Sequence, residues 1–318
     1  MEKTSYSIVV PVFNEEDNLE NLFKRLTGVM ETIANDYEII FVDDNSRDGS
    51  LGILESLNRG DPRVKIIKLS RNFGHQAALT AGLDHAKGDA IITMDADLQD
   101  PPEAIPCLIN KYEEGYDIVY AKREERKGET AFKRWTASMF YRIMRRLTDV
   151  EIPLDTGDFR LINKKVLNSL KGLQEKNRFL RGLVSWVGFK QAGVMYQRDA
   201  RSAGKTKFTF TKMLKFAVDA ISSFSHIPLR VATLSGFAVS FISCLGLILV
   251  VWHRFAGRPA SGWASLMICV LFIGGVQLIS IGIIGEYLGR IYDEVKNRPL
   301  YICDKTIGLR SKDEKPAS

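Results

Sequence analysis

Short apolar runs and polar clusters alternate along the first half of the chain. Ser7–Phe13 (SIVVPVF), Tyr37–Val42, Val64–Leu69, Ala90–Met94 and Tyr116–Ala121 are brief and apolar, the pattern of strands buried on both faces. Helical patterns separate them. The first runs from Asn14 to about Ala34, with Leu19, Leu22, Phe23, Leu26, Val29, Met30 and Ile33 on one side. Ser50–Asn58, a segment ending at Ala86 and a segment opened by Pro101-Pro102 are the others. Strand–helix alternation with short connections predicts right-handed crossovers and a mostly parallel α/β sheet. Each polar cluster follows a strand, so all are expected at one edge of that sheet.

The second half reads differently. Thr130–Leu147 carries Phe132, Trp135, Met139, Phe140, Ile143 and Leu147 at helical spacing, with Lys133, Arg134, Arg142, Arg145 and Arg146 between them. Asp155–Leu161 is a turn running into a strand, Arg198–Lys207 a basic loop, and Phe210–Phe224 a second amphipathic helix. Such helices, apolar on one side and basic on the other, suit a membrane surface. Val231–Trp252 and Ala264–Gly285 are free of charge and long enough to cross a hydrocarbon core of about 30 Å. Lys205, Lys207, Lys212, Lys215 and Arg230 precede them, and Arg290, Lys296 and Arg298 follow. The positive-inside rule therefore predicts a hairpin with both termini in the cytoplasm. The expected division is a catalytic domain over 1–207, a juxtamembrane helix over 208–230, two spans within 231–289 (231–252 and 264–288), and a cytoplasmic tail over 290–318. Gly274, Gly275, Gly282, Gly285 and Gly289 offer close helix packing, and with it self-association, a tetramer being one form.

Composition adds little to this. The 318 residues carry a net charge of +6, mild enough to suit a membrane surface or an anionic substrate. Cys107, Cys244, Cys269 and Cys303 have no metal-type spacing and are expected reduced. No signal peptide is expected, since a strand begins almost at once. The phosphate-binding pattern G-x-x-x-x-G-K-[ST] is absent, and no G-x-G-x-x-G follows a strand, which argues against P-loop nucleotidases and dinucleotide dehydrogenases.

The chemistry concentrates after the fourth strand, in DAIITMDADLQDPPE. Asp95 and Asp97, two apart at a strand end, can aim oxygens at one hard cation, Mg²⁺ or Mn²⁺, which typically bridges one or two carboxylates and a substrate diphosphate. The alternative is a solvated acidic turn. The first strand ends in PVFNEEDNL and the second in VDDNSRDGS, so three strand ends offer carboxylates and few lysines. That suits a sugar nucleotide. Plainer readings exist beside it: Glu15 as a charge favouring a helix N-terminus, Asp48 as a turn residue, His75 as a helix cap or an acid–base group.

PVFNEEDNL, VDDNSRDGS, SRNFGHQAAL, DADLQDPPE and GDFRL, in that order, resemble family 2 glycosyltransferases of the GT-A fold. More narrowly, the chain is similar to polyprenyl-phosphate glycosyltransferases, the dolichyl-phosphate mannose synthases and bacterial bactoprenol glucosyltransferases. The resemblance covers essentially the whole chain. It implies that Pro11, Asn14 and Glu15 line the nucleotide pocket and that Asp43 and Asp44 contact the nucleoside. Asp95, Asp97 and Gln99 would hold the metal and face the donor sugar. Asp158 would lie beside the acceptor. Arg123, Arg134 and Ser138 would meet the lipid phosphate, and Arg201, Lys205 and Lys207 would close over donor and acceptor phosphates. The implied reaction is inverting transfer from a nucleotide sugar, UDP-glucose or alternatively GDP-mannose, to undecaprenyl phosphate on the cytoplasmic leaflet, with no nucleic-acid partner. A processive polysaccharide synthase would carry Q-x-x-R-W after the acceptor site. The nearest stretch, Ala131–Trp135, has Ala for Gln and precedes GDF. A membrane-anchored nucleotide-binding scaffold is the reading without turnover.

Overall fold

The computed structural model describes residues 4–34, 36–123, 153, 156–173, 175–176, 178–196, 227–256 and 262–309. They fall into two units. Residues up to 196, together with 299–309, form one; residues 227–298 form the other.

The first unit is built on β1 (Tyr6–Val12), every residue of which is buried. β2 (Tyr37–Asp43) and β4 (Ala90–Thr93) flank it in parallel, and β3 (Val64–Leu69) extends the sheet beyond β2. β6 (Thr156–Asn163) runs antiparallel between β4 and β5 (Ile118–Arg123), and β7 (Gln191–Tyr196) pairs parallel with β5. With β8 (Cys303–Ile307), antiparallel to β3, the order is β7-β5-β6-β4-β1-β2-β3-β8. Only β6 and β8 oppose the common direction. β1, β2, β3 and β4 therefore present their carboxyl ends at one edge, the ligand-binding edge of open α/β sheets.

Helices cover both faces, which is why the central strands are continuously apolar. α1 (Leu19–Ile33) buries Leu19, Leu22, Leu26 and Met30 at three- and four-residue spacing. α2 (Ser50–Gly60), α3 (His75–His85), α4 (Ile105–Glu113), α5 (Lys164–Gly172) and α6 (Leu180–Trp186) follow. α3 lies directly on β1: a Cβ on Gly82 would stand 2.2 Å from Val9 Cγ1. Pro11 is tolerated in the central strand because β4 pairs with β1 only as far as Val9↔Thr93, so its missing N–H falls beyond that ladder.

Several bounds differ from expectation, each for a local reason. The first helix begins at Leu19 and not Asn14, because 14–17 are spent on the loop after β2. Asn14 adopts φ 54°, and the amides of Asn14, Glu15 and Glu16 donate to Ser46 Oγ, Ser50 Oγ and Asp48 Oδ2. β4 stops at Thr93, one residue early. β7 was not expected, and 290–318 is not simply a tail: β8 within it completes the sheet. The helices expected over Thr130–Leu147 and Phe210–Phe224, and the loop Arg198–Lys207, lie outside the described residues.

The second unit is a pair of helices, α7 (Ile227–Phe255) and α8 (Trp263–Lys296), packed on each other. Their apolar side chains face outward: Leu234, Phe237 and Leu278 are 72%, 71% and 72% exposed. Outward-facing Leu and Phe over such lengths make both helices candidate membrane spans. α8, with 34 residues, is about 51 Å long at 1.5 Å per residue, more than a hydrocarbon core requires. Its last turns are accordingly polar, with Arg290 paired to Glu286, and it ends at Asn297 in the left-handed conformation before Pro299.

Candidate active site

The antiparallel entry of β6 brings the two acidic motifs together. The register Thr93↔Arg160 sets Asp158 just beyond the carboxyl end of β4, and Thr93 Oγ1 donates to the Asp158 carbonyl. The Asp158 carboxylate is buried, its side chain 4% exposed. Arg181 of α6 grips it with a fork, Nε to Oδ1 at 2.9 Å and Nη2 to Oδ2 at 3.1 Å. His75, the first residue of α3, reaches Oδ2 with Nε2 at 3.0 Å. A carboxylate only accepts, so Nε2 carries the proton. Gln76 Nε2 stands 3.5 Å from Oδ2, and Arg160 Nη2 lies 3.6 Å from Oδ1.

This cage sets the charges. Burial works against the Asp158 carboxylate, but Arg181 and His75 together hold it well below the usual carboxylate range. His75 keeps 43% of its side chain exposed. Its crowding disfavours the imidazolium, but the Asp158 hydrogen bond and the charge of Asp95, 3.6 Å away, raise it to about 9. Asp95 moves the other way: burial pushes it up to about 6 against the pull of His75, with Asp158, Asp100 and Asp97 adding to the rise. Arg160, buried beneath, is lowered to about 10 by burial despite Asp158.

Asp95 and Asp97 follow β4 on a turn in which Leu98 takes φ 57° and the Gln99 amide donates to Asp97 Oδ1 at 3.2 Å. Gln99 and Asp100 are buried, and Tyr196 at the end of β7 donates its hydroxyl to Asp100 Oδ1. Among the described residues no three His, Cys, Asp or Glu form a closed metal cage. The donor set instead fits a hard cation held by one or two carboxylates and completed by substrate oxygens. Burial, with neighbouring carboxylates adding to it, raises Asp95, and a bound cation would offset both.

At the ends of β1 and β2, side chains expected on the nucleotide also brace the neighbouring loops. Asn14 Oδ1 accepts from the Arg47 amide at 2.8 Å, and Glu15 Oε2 from Asn18 Nδ2 at 2.8 Å. Asp44 spends its two oxygens on the amides of Phe73 and Gly74, at 2.7 and 2.9 Å, and so fixes the turn that launches α3. Gly74 there has φ 96°, which favours glycine. Burial raises both Asp43 and Asp44. Asp43 Oδ1 accepts the Ser46 amide, while its Oδ2 is enclosed with no hydrogen-bond partner among the described residues. Beside these strand ends an open cleft of roughly 370 Å³ is lined by Asn14, Glu16, Asp17, Arg47 and Asp48. Asp48 is the turn residue its alternative reading describes, accepting from the Ser50 and Glu16 amides.

Asp43, Asp44, Asn14, Glu15, Asp95, Asp97, Gln99 and Asp158 thus share one sheet edge. Arg123 closes β5 opposite Tyr196. Arg134, Ser138, Arg201, Lys205 and Lys207 lie outside the described residues. Arg181, Gln76, Arg160 and Tyr196 are additions to the expected set. Gln76 sits in the motif SRNFGHQAAL, which marks it. Arg181 stands alone in a short apolar helix, and nothing near it in sequence singles it out.

Residues 7–171 match glycosyl transferase family 2. An uncharacterized glycosyltransferase of Bacillus subtilis is 53% identical over 96% of this chain and 95% of its own length. The SfII prophage-derived bactoprenol glucosyl transferase of Shigella flexneri is 45% identical, covering 94% of this chain and 97% of its own. Among solved structures, mannosyl-3-phosphoglycerate synthase from Rubrobacter xylanophilus aligns with a TM-score of 0.47 and 17% identity, over 69% of this chain and 72% of that one. The chain belongs to glycosyl transferase family 2, with a GT-A-like α/β domain and two candidate membrane spans.

Proposed function

We propose that the protein transfers a sugar from a nucleotide sugar, UDP-glucose for preference, to a polyprenyl phosphate at the cytoplasmic face of a membrane, with inversion at the anomeric carbon. The observation that carries the acceptor class is the state of Asp158. A carboxylate held deeply ionised, its oxygens taken by Arg181 and His75, is a weak base. A sugar hydroxyl would need a base; a phosphate monoester, with a second pKa near ~6, already carries the attacking charge at neutral pH. The bactoprenol glucosyl transferase relative, similar along nearly the whole chain, supports the same acceptor and favours glucose. The candidate spans suit a lipid substrate, and β8 supports an even number of crossings, since the segment beyond the second helix pairs with the catalytic sheet.

In this reading the acceptor phosphate oxygen attacks the anomeric carbon as the nucleoside diphosphate departs from the opposite side, one bond forming as one breaks. Asp158, fixed by Arg181, orients the acceptor side; His75 links it to the donor-side carboxylate Asp95 and screens the two from each other. Asp43 and Asp44 brace the strand-end loops that face the nucleoside. Arg123, Arg134 and Ser138 position the lipid phosphate, and Arg201, Lys205 and Lys207 close over the phosphates, where orientation and charge neutralisation supply most of the catalysis. A Mg²⁺ or Mn²⁺ held by Asp95, Asp97 and Gln99 would supply neutralising charge for the leaving diphosphate.

The test is a panel of radiolabelled sugar nucleotides given to membranes containing the protein, followed by lipid extraction. Label from UDP-glucose in the lipid fraction is expected. Label in polymer, or in lipid only from GDP-mannose, would displace the reading.

A further inference from the structure

The segment beyond the second helix does more than cover an edge. β8 pairs with β3 from Ile66↔Ile307 to Leu69↔Cys303, and the Ile302 carbonyl accepts the Ser70 amide at 2.9 Å. That last bond lies past the end of β3, on the first residue of the turn carrying Phe73, Gly74 and His75. Just upstream, the Tyr301 hydroxyl donates to Asp84 Oδ2 at 2.9 Å, in the last turn of α3. One extended segment therefore holds the start of the turn after β3 and the last turn of α3. Two ion pairs fasten it further, Lys68 with Asp304 and Lys305 with Glu55 at 2.9 Å. Between the two grips stand the side chains that reach Asp158, His75 and Gln76. Residues 297–302 join this segment to the last turn of α8.

An edge strand needs only backbone pairing to be blunted. The Tyr301–Asp84 bond is a separate device: it leaves the sheet and ties a helix. Burial, then the adjacent Asp84 carboxylate, raise the Tyr301 phenol, so it stays a hydrogen-bond donor. We infer that Tyr301 and the Ile302–β8 strand are positioning elements that hold the Ser70–Gln76 turn so that His75 and Gln76 stay on Asp158. The inference rests on the glycosyltransferase reading above for its kinetic test and on the geometry alone for its structural one.

Both tests use the full chain in detergent or native membranes. Tyr301→Phe removes the hydroxyl and keeps the ring; Asp84→Asn keeps an acceptor and serves as the conservative partner, with Asp84→Ala as the loss variant. Tyr301→Phe and Asp84→Ala are expected to lower kcat by roughly 3- to 10-fold, the scale of one net hydrogen bond, with little change in donor KM, and Asp84→Asn to recover most of it. Amide exchange over 70–76 should quicken in the two loss variants while β1 and β2 stay protected. Unchanged kcat, or exchange that quickens equally through the whole sheet, overturns the inference. If the unsubstituted protein transfers no sugar to polyprenyl phosphate, the functional reading fails and the exchange comparison still decides this one.

Discussion

Replacing Asp158 by Asn keeps its shape and removes the charge that Arg181 and His75 bind. If Asp158 orients the acceptor, turnover falls by about 10- to 100-fold and the loss does not shrink from pH 6 to 9, as for a misplaced reactant. A base would give a loss that shrinks as pH rises and the acceptor deprotonates itself. Initial rates across that range decide between them. Asp97→Ala is expected to cost at least roughly 10²-fold, and chelation to abolish transfer until Mg²⁺ or Mn²⁺ is restored. Full activity in excess chelator would refute the cation. Away from the site, Asp61 accepts from the Arg63 amide and guanidinium, and Glu31 joins that arginine at 3.0 Å. The Arg63 hydrogen bond, against burial, holds Asp61 below its ordinary 3.8. A depressed folded-state value stabilises above the unfolded value and is lost as pH falls through the folded one. Asp61→Asn should therefore lower the melting temperature at pH 7, with the difference shrinking as pH falls below 3.8 through the folded value.

At the scale of elements, α3 is the piece on which the site depends, since His75, Gln76 and Asp84 all sit on it. Its seat is Gly82, and Gly82→Ala drives a Cβ into Val9, with Val42 Cγ2 at 3.1 Å behind. Overpacking of this kind costs about 1–3 kcal/mol, read as a lower melting temperature with activity falling alongside. How far such elements are legible in sequence depends on burial. β1, β2 and β4 announce themselves because both faces are covered, so apolar residues run nearly unbroken, and β3 and β5 keep enough Val and Ile to be read as strands. β7 (QAGVMY) and β8 (CDKTI) are edge strands, partly exposed and mixed in polarity, and carry no such signal. The acidic clusters could be placed at one edge from strand order alone. The use of Asp44 could not: its oxygens bind amides about thirty residues on, a contact that only the packing of β2 beside β3 creates. Arg181 is hidden for the same reason, being joined to Asp158 through tertiary structure only.

For the whole molecule, the pairing of β8 with β3 constrains any topology: whatever side of a membrane holds the catalytic sheet also holds Cys303–Ile307. Reporters fused at the N-terminus and after Lys312 are expected on the same, cytoplasmic side, and opposite sides would exclude the hairpin. The same pairing has a consequence for how the protein is made. Lys68 and Asp304 are 236 residues apart. At a synthesis rate of about 5–20 residues per second, β3 waits on the order of 10–50 s for its neighbour. Both apolar helices emerge from the ribosome in that interval. The catalytic sheet therefore reaches its final form only after both apolar helices have emerged, and until then β3 is a raw edge of unpaired amides and carbonyls. Chains stalled or cut before Cys303 would leave the more apolar β3 as the edge in place of the polar β8, a stronger template for strand-to-strand aggregation.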